Sequence, residues 1–125
     1  MILQLQPYSD KPIYEQLILE IKRGIATGEI APNEGLPSVR SLAADIGINL
    51  HTVNKVYKHL QSEGVLLKEK SGFVAKGKPL ELTGDTKKKL LNHIYELVIE
   101  KELYGLSDED ILKMMKEVKL KEEMI

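Results

Sequence analysis

Apolar residues recur along most of this chain at the spacing of amphipathic helices, interrupted once by a stretch that reads as strand. Ile13, Leu17, Ile21 and Ile25 follow at four-residue intervals, with Tyr14 and Ile18 widening the stripe. That pattern predicts a helix with one apolar face. Asp10 or Ser9 is placed to cap it, and Pro12 falls in its first turn, where a missing N–H is harmless. Gly28 is placed to end it, and Pro32-Asn33-Glu34-Gly35 has the composition of a turn.

The next two elements are shorter and closely spaced. Ser38 is a good N-cap for a helix whose Leu42, Ala43 and Ile46 share a face and which Gly47 closes. A helix of little more than two turns is unstable alone in water, so it needs a packing partner. Asn49 can cap the helix that follows, with Val53, Val56, Tyr57 and Leu60 as its apolar stripe and Gly64 as its stop. Val65 to Ala75 then reads as two short β runs meeting at Ser71-Gly72, hence a hairpin. After the linker Lys76-Gly77-Lys78-Pro79, Asp85 or Thr83 caps a helix carrying Leu90, Leu91, Ile94, Leu97, Val98 and Ile99. Tyr104-Gly105 ends it. Ser107 and the acids that follow open a last helix carrying Ile111, Leu112, Met114, Met115 and Val118. The fold class predicted is mainly α with a small β-hairpin: a helix-turn-helix domain over 1–78, then a two-helix tail over 79–125.

Composition removes several alternatives. A chain of 125 residues suits one domain, or a small domain with an appendage. Without cysteine there is no disulfide framework and no thiolate zinc site. His51, His59 and His93 are too scattered to make a metal site alone, and no cofactor is expected. No apolar run approaches the ~20 residues of a membrane span, and Met1-Ile-Leu-Gln-Leu-Gln lacks the form of a secretory leader. A soluble cytoplasmic protein with no membrane partner is the expectation. The net charge of −1 says little, but its distribution says more. Residues 36–78 hold seven Lys/Arg against three Asp/Glu, whereas 81–125 hold eight against eleven. A local basic segment fits an anion-binding face, and equally a solvated lysine face.

The exposed residues of the helix pair decide between those readings. Gly47 separates the two helices by the few residues of a helix-turn-helix turn, Ala43 permits their close approach, and Ile48 and Val53 fill the corner. Off the apolar stripe lie Asn49, His51, Thr52, Asn54 and Lys55, and no acid occurs on this helix before Glu63. Asn suits adenine, the methyl of Thr suits thymine, and Lys55 and Lys58 suit phosphates. An ordinary surface helix would mix Glu with its Lys. Arg40, in the first turn of the preceding helix, reads either as an ion pair with Asp45 or a neighbouring acid, or as a phosphate or guanine contact. Lys68, Lys70, Lys76 and Lys78 surround the hairpin, which suits a wing along backbone or minor groove. The same hairpin can close the core through Phe73 and Val74. An enzyme lacks support, since no nucleophile elbow, phosphate loop, metal cluster or carboxylate pair is legible. A protein-binding module would tend to lose the polar, acid-free face.

Three segments carry a family resemblance: Pro12-Ile13-Tyr14-Glu15-Gln16-Leu17, Leu36-Pro37-Ser38-Val39-Arg40-Ser41-Leu42-Ala43, and Asn49 through Tyr57. Over about residues 8–76 the chain resembles the GntR family of bacterial winged-helix regulators. With its short tail it looks most like the YtrA subfamily, in which a two-helix dimerisation tail replaces an effector domain and which often controls transporter operons. The resemblance implies a repressor of a double-stranded DNA operator. Its contacts would fall on Arg40, Asn49, His51, Thr52 and Asn54, with Gly72 at the wing tip and Ser38 and Lys55 on phosphates. The wing departs from the family's Gly-x-Gly-Thr-Phe-Val, reading Lys70-Ser71-Gly72-Phe73-Val74. Leu50 stands where proline is frequent, and His51 where asparagine is.

Two tail helices cannot bury broad apolar faces alone. They are expected to form a homodimer through Leu90, Ile94, Leu97, Val98, Ile111 and Met115, or else to fold back on the preceding domain. A dimer would present two recognition helices to a palindromic operator. No effector site is legible.

Overall fold

The computed structural model describes Leu3, Leu5 and residues 9–121. Five helices and one hairpin follow in the order α1 (Ile13–Thr27), α2 (Val39–Ile46), α3 (Leu50–Ser62), β1 (Leu66–Glu69), β2 (Gly72–Ala75), α4 (Gly84–Leu103) and α5 (Asp108–Glu117). They divide into two compact units, Met1–Glu81 and Leu82–Ile125.

In the first unit the apolar stripes of three helices meet over the hairpin. Leu17, Ile21 and Ile25 of α1, Leu42 and Ala43 of α2, and Val53, Val56, Tyr57 and Leu60 of α3 form one buried cluster with Ile30, Val65, Leu66 and Ala75. Their burial drives folding of this unit, since each large apolar side chain withdrawn from water contributes roughly 1.5–3 kcal/mol.

Local chemistry sets the helix ends. α1 starts one step later than the sequence reading has it: Pro12 is its N-cap residue, with no side-chain cap. Neither Ser9 nor Asp10 caps it, because Ser9 Oγ accepts from the backbone N–H of Lys11 at 3.2 Å instead. The Gln16 amide, buried against the same turn, donates to the Lys11 carbonyl at 2.8 Å. α2 is capped as expected, with Ser38 Oγ accepting from Ser41 N–H at 3.1 Å. It ends at Gly47, whose φ of 67° lies in the left-handed region that costs a side-chain-bearing residue energy. Asn49 then caps α3, its Oδ1 accepting from His51 N–H at 2.7 Å.

The hairpin is antiparallel, with Leu66 opposite Ala75, Leu67 opposite Val74, Lys68 opposite Phe73 and Glu69 opposite Gly72. β2 is also paired along its other side. Leu36 N–H donates to the Phe73 carbonyl and Ala75 N–H to the Glu34 carbonyl, each at 2.9 Å. The Pro32–Gly35 turn thereby covers an edge that would otherwise expose unpaired backbone groups.

Tyr57 joins these pieces. Its ring is fully buried and meets Phe73 edge-on at 5.2 Å between centroids, while its hydroxyl donates to the Pro37 carbonyl at 2.8 Å. Burial pushes the phenol well above its ordinary pKa, so the group stays a neutral donor.

The second unit is built differently. Thr83 caps α4 through Thr86 N–H, and Ser107 and Asp110 form a reciprocal capping box on α5. The Ser107 backbone N–H, followed by its hydroxyl, holds the Asp110 carboxyl below the usual carboxylate range. Lys101 bridges to Asp108 at 3.1 Å and to Glu102 at 3.3 Å. No residue of α4 or α5 is buried. Leu90, Ile94, Leu97 and Val98 are each more than two-fifths exposed, and Met115 nearly two-thirds; only Ile111 is half-covered.

Tyr57→Phe keeps the ring packing and removes one hydrogen bond, leaving the Pro37 carbonyl without its partner. Urea denaturation should show a loss of about 1 kcal/mol. An unchanged midpoint would mean that the bond to Pro37 contributes nothing to holding α2 against α3.

Candidate nucleic-acid interface

α2, the three-residue turn Gly47–Asn49 and α3 form a helix-turn-helix. The turn is closed by backbone bonds from Gly47 N–H and Ile48 N–H to the Ala43 carbonyl. Ala43 is buried at the crossing, where a larger side chain would hold the helices apart.

The helix repeat sorts α3 into strips about 100° apart per residue. Val53, Val56, Tyr57 and Leu60 face the core. His51, Lys55 and Lys58 are exposed along the opposite side. Thr52 and Asn54 are half-buried on opposite flanks, Thr52 on the side toward α1. Asn49 is exposed at the N-terminus, with its carbonyl oxygen committed to the cap and its amide N–H groups available. Among the described residues His51, Thr52, Asn54, Lys55 and Lys58 have no side-chain partner in the protein.

The one acid of this segment is turned away. Glu63, just past α3, accepts from Lys22 of α1 at 3.0 Å and from His59 at 3.1 Å, and its side chain is only 8% exposed. No carboxylate therefore opposes the polar face of α3. This cluster was not legible in the sequence, because Lys22 and Glu63 lie on different helices and only the crossing of α1 and α3 brings them together.

The two arginines have different fates. Arg23 is held by Glu20 and Glu29 within the first unit, and those two carboxylates raise its pKa further, Glu20 the more. Arg40 is exposed at the start of α2 and forms no ion pair with Asp45 or any other acid among the described residues. Ser38, also exposed, spends its hydroxyl oxygen on the α2 cap and keeps the hydroxyl proton to donate.

The wing is smaller than its four lysines suggest. The turn between the strands is Lys70-Ser71, and Gly72, with φ of 129°, is the first residue of β2, paired to Glu69. Gly72 is thus beside the tip and half-buried. Lys68 lies over the Phe73 ring at 4.5 Å, and Lys78 folds back to donate to the Ala26 carbonyl at 2.6 Å. Only Lys70 and Lys76 of the four are exposed without such a contact.

Known proteins share these features. The model of the family described as bacterial regulatory proteins, gntR family, matches residues 13–74. The HTH-type transcriptional repressor YtrA of Bacillus subtilis strain 168 is 31% identical over 119 residues, covering 94% of this chain and 92% of its own length. YtrA from Sulfolobus acidocaldarius, a GntR-family transcription factor, is similar in structure with a TM-score of 0.65 at 34% identity, over 79% of this chain and 99% of that one. AraR(DBD), solved in complex with operator ORX1, is similar with a TM-score of 0.50 at 30% identity, over 58% of this chain and 92% of that one. Among the described residues of this chain, no helix is long and apolar enough to cross a membrane.

The Asn49 cap separates stability from contact. Asn49→Ala should lose about 1 kcal/mol in urea denaturation, whereas Asn49→Asp, which caps equally well, should stay close to the unsubstituted protein. Equal losses for both would show that the bond to His51 N–H is not what anchors the start of α3.

Proposed function

Since the chain belongs to the gntR family of bacterial regulatory proteins, we propose that it is a sequence-specific repressor that occupies a palindromic operator as a homodimer. The observation that carries this reading is the α3 face: polar and basic side chains without protein partners, and the nearby Glu63 sequestered behind the helix. Such a face matches a nucleic-acid surface, which offers acceptor-rich base edges beside a dense row of phosphates.

The residues divide by reach. Asn49, His51 and Asn54 are assigned to base edges, and Arg40, the one guanidinium without an acid, to a guanine or the phosphate beside it. Ser38, Thr52, Lys55 and Lys58 are assigned to the backbone, which positions the helix without specifying sequence. The wing, with Lys70 at its tip and Gly72 beside it, adds a minor contact. Its two-residue turn is too short to reach far.

The second unit supplies the second copy. Leu90, Ile94, Leu97, Val98, Ile111 and Met115 lie on helices with no buried residue. Pairing two such units would withdraw this surface from water and space two recognition helices for two half-sites. The controlled genes are taken to be a transporter operon, as the resemblance to the YtrA subfamily implies. Binding to an operator places the work in the cytoplasm. No effector is assigned.

Selection from a random duplex pool should return a palindrome. On that duplex His51→Ala and Asn54→Ala should each cost about 1–3 kcal/mol and relax preference at one position, while Lys58→Ala should weaken all sequences alike and reduce the salt slope by about 0.9. Unchanged specific affinity after replacing His51, Thr52 and Asn54 together by Ala would overturn this reading face.

Light scattering should give a dimer at micromolar concentration, and Ile94→Glu should shift it toward monomer. A monomeric unsubstituted protein would end the dimer reading without touching the assignment of α3.

A further inference from the structure

A groove between the start of α1 and the flank of α3 is left unused by base reading. Tyr14 of α1 lines it together with Thr52, Lys55, Lys58 and His59 of α3. We propose that this groove seats a phosphate of the DNA backbone, with α1 contributing the Tyr14 hydroxyl as a donor beside the Thr52 hydroxyl and the two ammonium groups. The proposal rests on the DNA-binding reading above and adds to it a second element of the fold that grips the duplex.

Three features of the groove favour this occupant. Its lining offers donors and positive charge and no carboxylate. Tyr14, Thr52, Lys55 and Lys58 have no hydrogen bond or ion pair to the protein among the described residues, so their polar ends are available to a ligand. The groove is also open along its mouth, which suits a phosphate carried on a long backbone better than an enclosed small molecule.

The supporting contacts hold the hydroxyl in place. His59 meets Tyr14 edge-on, with ring centroids 6.2 Å apart and planes at 68°. Its Nε2 is fixed by Glu63 at 3.1 Å, and Glu63 in turn by Lys22 at 3.0 Å. His59 is thus a positioning residue: the Lys22–Glu63–His59 chain braces the Tyr14 ring at the junction of α1 and α3. Lys55 and Lys58 stand three residues apart on the same helix, close enough to act on one phosphate or on two successive ones.

The test uses the full chain with two probes: a duplex that the protein selects from a random pool, and a shuffled duplex of the same length. Tyr14→Phe keeps the ring and its contact with His59, so its thermal midpoint should match the unsubstituted protein. Its affinity should fall by about tenfold, and equally on both duplexes, as for one hydrogen bond to a charged group. The salt slope should stay unchanged, because a neutral hydroxyl releases no counterion, whereas Lys55→Gln should lower it by about 0.9. In a scan of single neutral methylphosphonates, one position should weaken the unsubstituted protein and leave Tyr14→Phe much less affected. The proposal is overturned if Tyr14→Phe binds both duplexes normally, or if it loses affinity for the selected duplex alone. Failure of the unsubstituted protein to bind either duplex would sink the DNA reading itself, and the groove with it.

Discussion

The packing of α2 against α3 around Tyr57 is the contact on which the candidate interface depends. α2 has eight residues, too few to hold a helix in water without tertiary support. Its support comes from Leu42 and Ala43 buried beside the α3 stripe, and from Tyr57, whose hydroxyl holds the carbonyl just ahead of the α2 cap. The same ring touches Phe73 of the wing. One buried side chain therefore ties the start of α2, the middle of α3 and the hairpin into a single rigid piece. A polar tip is tolerated there because it is satisfied; an unpaired phenol at that depth would be costly.

Once α3 is held, its polar face follows from what the core does not use. The buried stripe takes one side of the helix and leaves His51, Lys55 and Lys58 pointing to solvent, with Thr52 and Asn54 on the flanks. Electrostatics then depends on where the nearby acid goes. Glu63 would reduce the attraction of α3 for an anion if it faced outward. Held by Lys22 and His59 under the helix, it has its charge opposed by a lysine of α1 and braces the α1–α3 junction. The wing shows a similar economy: Lys68 and Lys78 are spent on Phe73 and on the Ala26 carbonyl, so its charge reaches outward mainly through Lys70 and Lys76.

The second unit has the opposite character. Its helices are well capped and cross-linked by Lys101, so their backbones are satisfied, yet none of their residues is buried. Caps and ion pairs fix helix ends at about 1 kcal/mol or less each. They do not compensate for a row of leucines, isoleucines and valines left in water. A surface of this kind is incomplete as a single copy, whereas the first unit closes its own core.

The sequence by itself determined the order and type of the elements, because those follow from local rules. Four-residue apolar spacing, Ser38, Asn49, Thr83 and Ser107 at N-caps, and Gly47 at a left-handed turn each act over a few residues. The polar strip of α3 was equally legible, since helix periodicity places side chains on faces before any packing occurs. Local rules reached less far at the start of α1, where Pro12 and the Gln16 amide took over the capping expected of Ser9 or Asp10. What only the tertiary structure decided are the pairings between distant residues. Arg40 stays free of Asp45, Glu63 meets Lys22, Lys78 turns back to Ala26, and Tyr14 comes beside Thr52 and Lys55. Charge and hydrogen bonding are settled by distances of a few ångströms, and sequence separation carries no information about those distances until the cores of α1, α2 and α3 have closed.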